Sequence, residues 1–469
     1  MAGTAPGDHL QSAYRLWLPG HQLQNGRAPW LDPYSFRPAA EPRPNFAAWP
    51  FGLPYWPLHR LLGAVGAWNT FVLLGYLAAA AFAFLWLRAL NLGRGAALVG
   101  AAAFALAPYL VGQSASGHLL AWSALCLPLA LWAWERGWAI AAALALGSIP
   151  LSGQVHLALA AIPFFLLYAG RDSRRRRPAL LTALASAGAG LLVYTASIRG
   201  TVGAGGRSFT QVERYSAELG DFVSRGPRAG LESLVFLGWA TPLLALAGLA
   251  VLVAARRFGL ALALGLGALV PVLLALGANL PGYEALWGAV PGLEHTRVPT
   301  RLLPVAALSF AGLVAFAVQQ VRHAAVPILL VPLVFLDLGV DAYRTSAANE
   351  HESVYATLRA QPAGRLLELP VFLPDRQEGS VYLLPLMRAP RERPGGYSTT
   401  APRKADSVLR RLRRAACGDG QRFRRLLLEL DVSFVVAYPG PGCIVPKTLG
   451  RQLARDGGLV LYSTASTRP

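Results

Sequence analysis

The chain has 469 residues, of which 54% are apolar and only 14% are charged. This composition argues against two or three soluble domains, because apolar segments of about 17–22 residues recur at the length that crosses a bilayer. The net charge of +19 does not indicate nucleic-acid binding, because basic residues that flank apolar spans are expected from the orientation rule for membrane proteins.

The first sixty residues are polar and aromatic and precede the apolar spans. They carry Asp8, then Tyr14, Arg15 and Trp17 at helical spacing, and then a turn-rich stretch at 25–34. We predict a catalytic-type loop with an amphipathic helix, lying on one membrane face. Met1 to Gly7 is neither a signal peptide nor a span. We therefore expect the native start to lie upstream, in a transmembrane helix that ends just before Gly7.

The middle of the chain, residues 61–343, is predicted to be a bundle of about ten transmembrane helices. Their approximate bounds are 69–88, 96–112, 119–134, 138–150, 155–170, 179–197, 233–254, 258–277, 302–320 and 325–341. The fourth and fifth spans are short and are separated by residues 152–156. We interpret them as a hairpin that dips part-way through the bilayer, covered by protein or water.

The orientation of the bundle follows from the basic residues in its short connections. Every second connection carries arginine, with the strongest cluster at 171–177. Because basic loops stay in the cytoplasm, the opposite face is predicted to be extracytoplasmic. That face receives residues 1–60, the loops 198–232 and 278–301, and the C-terminal region.

The C-terminal region, residues 344–469, is predicted to be an extracytoplasmic soluble domain of α/β type. Its predicted helices are 354–361, 407–416, 422–430 and 449–456, and its predicted strands are 365–371, 432–438 and 458–463. Cys417 and Cys443 both lie in this region and form a candidate disulfide if it faces an oxidising compartment. Zinc is disfavoured, since too few ligands lie at suitable spacing.

Short motifs spread over most of the chain carry a family resemblance. They are Gly7-Asp8 with Tyr14 and Trp17, residues 25–30, 49–57, 68–69, 108–118, 213–216, 297–301, 367–370 and 395–398. In this order they resemble bacterial integral-membrane glycosyltransferases of the GT-C type, in particular YfhO-like and related multi-pass proteins. Each motif is weak alone, and the order of the motifs is the stronger signal.

The resemblance implies a transferase that uses a polyprenyl-phosphate sugar on the outer membrane face, with an acid in the first external loop as base. Asp8 occupies that position. The alternative is that Asp8 caps the helix that follows it, because Gly-Asp before 9–14 also fits an N-cap. The missing first helix is a departure from the family pattern.

Arg297 and Arg301 are the candidate donor-phosphate residues. They stand four apart at the outer end of a span, hence on one helical face if the helix begins early, and Pro299 suits a first helical turn. Two guanidinium groups beside a helix N-terminus bind phosphate well. Anchoring to lipid headgroups is the alternative. His118 is a further candidate that could donate a hydrogen bond to the donor phosphate, although a histidine at a helix start is more often structural.

The remaining candidates are accessory. Asp32 is a second acid in the first loop, although Asp-Pro-Tyr is ordinary turn chemistry. Residues that could contact the acceptor or play an accessory role are Glu213, Arg214, Tyr215, Gln154 and His156. A divalent metal is compatible with the reaction, since some relatives use one, but no ligand cluster in the sequence requires it.

The predicted function is transfer of a sugar from a polyprenyl-phosphate sugar to a glycan, lipid or protein acceptor of the cell envelope. The protein would be a multi-pass protein of the bacterial cytoplasmic membrane and would contact membrane lipids. One alternative is a non-catalytic GT-C-like scaffold or assembly factor for envelope glycans. Another is a transporter, which would place ionisable groups near mid-membrane, whereas here they cluster at the outer rim. Asp337, in the last span, is the main exception.

Overall fold

The computed structural model of the chain describes residues 6–202, 208–228, 230–321, 325–343, 352–398, 400–439 and 449–464. Helices make up most of this part of the chain, and a four-stranded sheet lies near its C-terminus. A mainly helical fold with a small C-terminal sheet was predicted from the sequence, and that prediction is confirmed.

The helices before the C-terminal region begin with an amphipathic helix and continue with the apolar bundle. They are α1 (Asp8–Gln24), α2 (Gly52–Ala89), α3 (Arg94–Ala105), α4 (Pro108–Ala115), α5 (Leu120–Glu135), α6 (Ala139–Leu151), α7 (Val155–Ala169), α8 (Arg176–Val193), α9 (Phe209–Tyr215), α10 (Ala240–Ala254), α11 (Phe258–Ala275), α12 (Tyr283–Ala289), α13 (Leu303–Val318) and α14 (Ala325–Leu338). Each of the ten predicted spans overlaps a helix or the helix pair α3–α4, although the span predicted at 233–254 becomes α10 only from Ala240.

Length separates these helices into two groups. Four helical segments of the described chain are long and apolar enough to cross a membrane, and the pair α3–α4, bent by 42°, makes a fifth if it is one span. The four segments are 52–89, 173–198, 258–275 and 299–318. The other apolar helices are shorter. At 1.5 Å per residue, α6 and α7 reach only about 20 Å, which is less than the hydrocarbon core.

Proline and glycine account for the breaks in the long segments. Pro108 begins α4, and the preceding Ala107 is extended (ψ 123°), as a residue before proline prefers. Inside α2, Gly63 has a φ of +68°, which divides that helix into two parts.

Close backbone contacts hold α13 at the centre of the bundle. A Cβ at Gly248 of α10 would lie 1.8 Å from the carbonyl oxygen of Leu313, and one at Gly100 of α3 would lie 2.7 Å from that of Ala311. Small residues at these crossings therefore let α3 and α10 approach α13 closely, as is common between helices in membranes.

Asp337, the acid in the last predicted span, caps a neighbouring helix. Its carboxylate accepts hydrogen bonds from the backbone N–H groups of Trp239, Ala240 and Thr241 and from the Thr241 hydroxyl, at 2.8–3.1 Å. These are the first donors of α10, where a negative charge is favourable. Asp337 thus has a structural role at a helix end.

The C-terminal region contains helices α15 (Glu352–Arg359), α16 (Leu383–Arg388), α17 (Arg403–Gly418) and α18 (Gly420–Glu429). Its strands are β3 (Arg365–Leu369), β4 (Val432–Ala437), β5 (Arg451–Asp456) and β6 (Leu459–Ser463), in the order β3-β4-β6-β5. Strand β3 pairs parallel with β4, and the other two pairings are antiparallel.

One predicted element of this region is wrong. Residues 449–456 were expected to contain a helix, but Arg451–Asp456 is strand β5, which forms a hairpin with β6. The turn is Gly457-Gly458, with φ values of +55° and +90°. Two glycines at positive φ favour a tight hairpin, and the pairing with β6 outweighs the local helical preference.

The first loop packs against the C-terminal region. It contains the short strands β1 (Leu31–Asp32) and β2 (Arg43–Pro44). Phe36 belongs to the same buried cluster as Leu409 and Phe423. The backbone N–H groups of Phe36 and Arg37 donate to the carbonyl oxygens of Gly395 and Arg393 at 3.1 and 2.8 Å. The proposed boundaries at 60/61 and 343/344 stay predictions.

Candidate functional site

A cavity of about 980 Å³ lies where the first loop, the bundle and the C-terminal region meet. Its polar end is lined by α1, the loop before α5, the loop 291–301 and residues 397, 398, 400 and 402, and α7 and α8 supply most of its apolar wall. Seven of the residues singled out from the sequence lie in this lining: Asp8, Asp32, His118, Gln154, His156, Arg297 and Arg301.

Asp8 lies at the polar end, and both of its carboxylate oxygens have a partner. Oδ1 accepts a hydrogen bond of 2.5 Å from the Tyr397 hydroxyl, and Oδ2 lies 2.9 Å from Nε2 of His118. Burial raises the pKa of Asp8, but the hydrogen bonds and charge of His118, with Tyr397 and Arg15, lower it to about 2. Asp8 is therefore ionised at neutral pH.

Asp8 is the first residue of α1, and Gly7 stands at the N-cap without a side-chain cap. The N–H of Gly7 donates instead to Oγ of the buried Ser380, at 2.9 Å. The Asp8 side chain is thus directed to His118 and Tyr397, and the capping role does not describe it.

A glycine brings the His118 loop against α1. Gly117 has a φ of +85°, and a Cβ there would lie 2.1 Å from the backbone nitrogen of His9. This close approach, which other residues would prevent, places the next side chain beside Asp8.

His118 faces an oxygen at each ring nitrogen. Its Nδ1 lies 2.8 Å from Oε1 of the buried Gln113, and its Nε2 faces Asp8. Gln113 is held in turn, because its Nε2 donates to the carbonyl oxygen of Glu232 at 3.1 Å. Each ring nitrogen thus faces an oxygen, and the two contacts orient the imidazole toward Asp8.

Three arginines supply positive charge to the cavity. Arg301 lies 3.9 Å from Glu232, so part of its charge is neutralised. Arg297 makes a cation–π contact with the Tyr215 ring, 5.5 Å from its centroid. Arg15 makes no hydrogen bond or ion pair with any residue that the structure describes, although the charge of Asp8 acts on it and burial lowers its pKa.

Arg297 and Arg301 do not share a helical face, because the helix does not begin early enough, although both residues line the cavity. A 3₁₀ turn spans Pro299–Leu302 and α13 begins at Leu303, so Arg297 lies in the preceding loop. Pro299 does occupy the first position of the turn, as predicted.

Asp32 has a structural environment. Its Oδ1 accepts hydrogen bonds from the Tyr14 hydroxyl and from the backbone N–H groups of Tyr34 and Ser35, at 2.9, 2.9 and 3.2 Å. The two backbone bonds are the local turn pattern of Asp. The bond from Tyr14 links the first loop to α1.

Some of the other predicted site residues line the cavity and others do not. Gln154 and His156 line the cavity, and Nε2 of His156 lies 3.4 Å from the carbonyl oxygen of His295. The three predicted residues of α9 do not line the cavity: Glu213, Arg214 and Tyr215. The Tyr215 ring contacts Arg297, which does line it. Cys443 lies outside the described residues, so its pairing with Cys417 stays a prediction.

Three residues of the site were not singled out as site residues. Arg15 follows Asp8 by two turns of α1, and that spacing alone could have indicated it. Tyr397 lies in the motif at 395–398, but nothing in that motif indicates that its hydroxyl contacts Asp8. Glu232 lies in a short 3₁₀ helix, Leu231–Ser233, where neither periodicity nor a motif indicates a functional role.

Asp8, His118 and Glu232 could hold a divalent metal ion. One ligand atom from each lies within 4.8 Å of the others. Nε2 of His118 lies 3.8 Å from Oε1 of Glu232, and the buried Oε2 of Glu232 has no hydrogen-bond partner among the described residues. Two carboxylates and an imidazole suit several divalent ions, and the contact with Gln113 would fix the tautomer that leaves Nε2 free to bind.

No family model matches the sequence, and no curated protein sequence matches it. Two oligosaccharyltransferase structures from Archaeoglobus fulgidus are similar to the chain. One is AglB in complex with an inhibitory peptide and a dolichol-phosphate (12% identity, TM-score 0.48, covering 92% of this chain). The other is tethered to an acceptor peptide (13% identity, TM-score 0.47, covering 93%). The chain spans 66% and 65% of these proteins, just under two thirds of their length.

ArnT from Cupriavidus metallidurans bound to undecaprenyl phosphate is also similar, with 14% identity and a TM-score of 0.39 over 99% of this chain and 94% of that one. AglB and ArnT are multi-pass membrane glycosyltransferases of the GT-C fold, the kind of protein that the sequence resembles. With TM-scores below 0.5, neither the reaction nor the substrates of this chain follow from these similarities.

Proposed function

We propose that the chain is a membrane glycosyltransferase that moves a sugar from a polyprenyl-phosphate sugar to a cell-envelope acceptor. The reaction takes place at the outer face of the bacterial cytoplasmic membrane. One observation carries the proposal: a single cavity combines an ionised carboxylate, Asp8, with arginine side chains and an apolar wall. Base, phosphate site and lipid groove are the three parts that this reaction requires.

The donor phosphate binds Arg15 and Arg297. Both line the cavity, and neither has a carboxylate partner among the described residues, so their donors are available to an anion. The charges of Arg15 and Arg297 also act on the Tyr397 hydroxyl, which donates to Asp8, and this supports a phosphate site near the base. Arg301 assists, with its charge reduced by Glu232.

The polyprenyl chain lies along the apolar wall. Leu159, Ile162 and Pro163 of α7 face the cavity, as do Gly190 and Leu191 of α8. Leu191 is 64% exposed, so this wall continues to a surface that the membrane covers. A lipid whose phosphate is near Arg297 can therefore keep its tail in hydrocarbon.

Asp8 accepts the proton of the acceptor hydroxyl. The acceptor oxygen forms a bond with the anomeric carbon, while the bond from that carbon to the phosphate oxygen breaks and its electron pair leaves with the phosphate. The arginines stabilise the negative charge that develops there. His118 and Tyr397 orient the carboxylate, and the single displacement inverts the anomeric centre.

A divalent ion held by Asp8, His118 and Glu232 would supply a Lewis acid next to the reacting groups. In that case Asp8 would orient the acceptor through its remaining lone pairs, and His118 would bind as neutral imidazole. The roles of Arg15, Arg297 and the apolar wall are the same with or without the ion.

Native mass spectrometry of the protein in mild detergent tests the donor class. We expect a polyprenyl-phosphate sugar to bind to the wild type and to an Asp8→Asn variant, and to be lost when Arg15→Ala is combined with Arg297→Ala. Arg174→Ala with Arg176→Ala removes the same charge from the far end of α8 and serves as control. Failure of the folded wild type to bind added lipid would overturn the proposal and favour a scaffold.

A further inference from the structure

Helices α17 and α18 form a strongly basic surface. Their basic residues are Arg403, Lys404, Arg410, Arg411, Arg413, Arg414, Arg422, Arg424 and Arg425, and their acidic residues are Asp406, Asp419 and Glu429. All three acids are engaged. Asp406 pairs with Arg410 at 2.8 Å, Glu429 pairs with Arg411 at 2.9 Å, and Asp419 accepts from the first turn of α18.

The other seven basic side chains are exposed and form no ion pair with a described residue. Like charges one turn apart, such as Arg422 and Arg425, repel each other and destabilise a helix. A surface that retains so many of them is therefore suited to a polyanion, which would remove the repulsion on binding.

The basic surface lacks the features of a membrane anchor. An interfacial helix inserts a broad apolar face between lipid headgroups. In α17 and α18 the apolar faces are buried in the core of the C-terminal region, through Leu409, Leu412, Phe423 and Leu426. Apart from Leu428, the outward-facing side chains are mainly charged or polar, which favours a hydrated anionic chain over a lipid surface.

The surface begins at the cavity. The backbone N–H of Val202 donates to the carbonyl oxygen of Ala401 at 2.9 Å, and Thr201 forms a bridge with Pro402. Thr400 and Pro402 line the cavity, and Arg403 starts α17 immediately after them. From there α17 extends for 16 residues, or about 24 Å.

We propose that the α17–α18 surface binds an anionic envelope polymer and directs it into the cavity as the acceptor. This inference rests on the proposed function, because it assigns the chemical class of that acceptor: a chain bearing carboxylate or phosphate groups. Guanidinium groups recognise both through paired hydrogen bonds.

Fluorescence polarisation with labelled polygalacturonate, a carboxylate-bearing glycan, tests the binding, and neutral dextran of equal length is the probe control. The test variant combines Arg413→Glu, Arg414→Glu and Arg424→Glu. The matched variant combines Arg174→Glu, Arg176→Glu and Arg177→Glu, which changes the net charge equally at the far end of α8. Both are measured as the full chain in phosphatidylcholine nanodiscs over a range of salt concentrations.

We expect the test variant to raise the Kd for polygalacturonate by about tenfold or more and to flatten its salt dependence, with the matched variant unchanged. Equal losses in both variants would overturn the inference, since net charge alone would explain them. It would also be overturned if the test variant lost cosedimentation with phosphatidylglycerol vesicles but kept polymer binding.

These measurements distinguish failure of the polymer-binding inference from failure of the proposed transferase function. Asp8→Asn is expected to leave polygalacturonate binding intact, because the basic surface does not include the base. Donor lipid bound without polymer binding would reject this inference alone, whereas polymer bound without any donor lipid would reject the transferase.

Discussion

The hydroxyl of Tyr397 donates a 2.5 Å hydrogen bond to Asp8, joining residues that are 389 positions apart. Tyr397 follows the segment that pairs with the first loop, in which Arg393 forms a buried 2.8 Å ion pair with Glu368. The carbonyl oxygen of Tyr397 also accepts from Nε2 of Gln11 in α1, at 2.6 Å. The C-terminal region thus contributes directly to the site.

Tyr397→Phe should lower kcat by about tenfold with little change in KM, because it removes one hydrogen bond to a charged group that acts in the transition state. Steady-state transfer from a polyprenyl-phosphate sugar measures both constants. Tyr438→Phe is the control, since that hydroxyl contacts Tyr355 away from the cavity. Equal kcat values for the two variants would show that Tyr397 does not position Asp8.

Asp8→Asn and Asp32→Asn should separate the two acids of the first loop. Loss of the Asp8 base should lower kcat by about 10²–10⁴-fold while the protein remains folded. Asn at position 32 can still accept hydrogen bonds, so we expect near-normal kcat and a loss of stability of about 1 kcal/mol. A thermal unfolding curve accompanies each rate. A reversed pattern, with Asp32 essential and Asp8 dispensable, would reject this assignment of roles.

Manganese binding tests the cluster of Asp8, His118 and Glu232. We expect electron paramagnetic resonance to show bound Mn²⁺ in the wild type, with affinity at least about tenfold weaker in Glu232→Gln. Glu284→Gln, which changes an exposed acid on α12, is the control. Wild-type protein that binds no Mn²⁺ would contradict this prediction, and His118 would then act only as a hydrogen-bond partner of Asp8.

Much of the fold could be predicted because apolar length is a local property. Each predicted span overlaps a helix, whereas β5 was missed because a hairpin depends on its partner strand as well as on its own residues. The site was harder to predict from the sequence than the fold. Asp8 and the arginines carry chemistry that residue type reveals, but Glu232 and Tyr397 reach Asp8 only through the tertiary fold.

Gly117→Ala should disturb the site through the backbone. The new Cβ would overlap the nitrogen of His9, at a φ of +85° that alanine disfavours, with an expected cost of about 1–3 kcal/mol. Gly137 is a matched control, because its φ is +82° but a Cβ there would meet nothing within 4 Å. Activity should therefore fall in Gly117→Ala and persist in Gly137→Ala. Equal effects would show that only backbone strain matters.

His21 should make the protein less stable in mild acid. Its ring stacks on Trp17 at 4.1 Å and lies 2.8 Å from the Tyr34 hydroxyl. Burial, with the charges of Arg27 and His59, lowers its pKa to about 4. The unfolded chain, with a pKa of about 6.5, then binds the proton first.

The contribution of His21 to stability is consequently complete above pH 6.5 and is lost as the pH falls from 6.5 towards 4. His21→Phe keeps an aromatic ring but cannot titrate, so the wild-type Tm should fall relative to that of the variant across this window. The other histidines are present in both proteins, so the comparison isolates the contribution of His21. A Tm difference that does not change with pH would show that His21 is protonated to the same extent in the folded and unfolded chains.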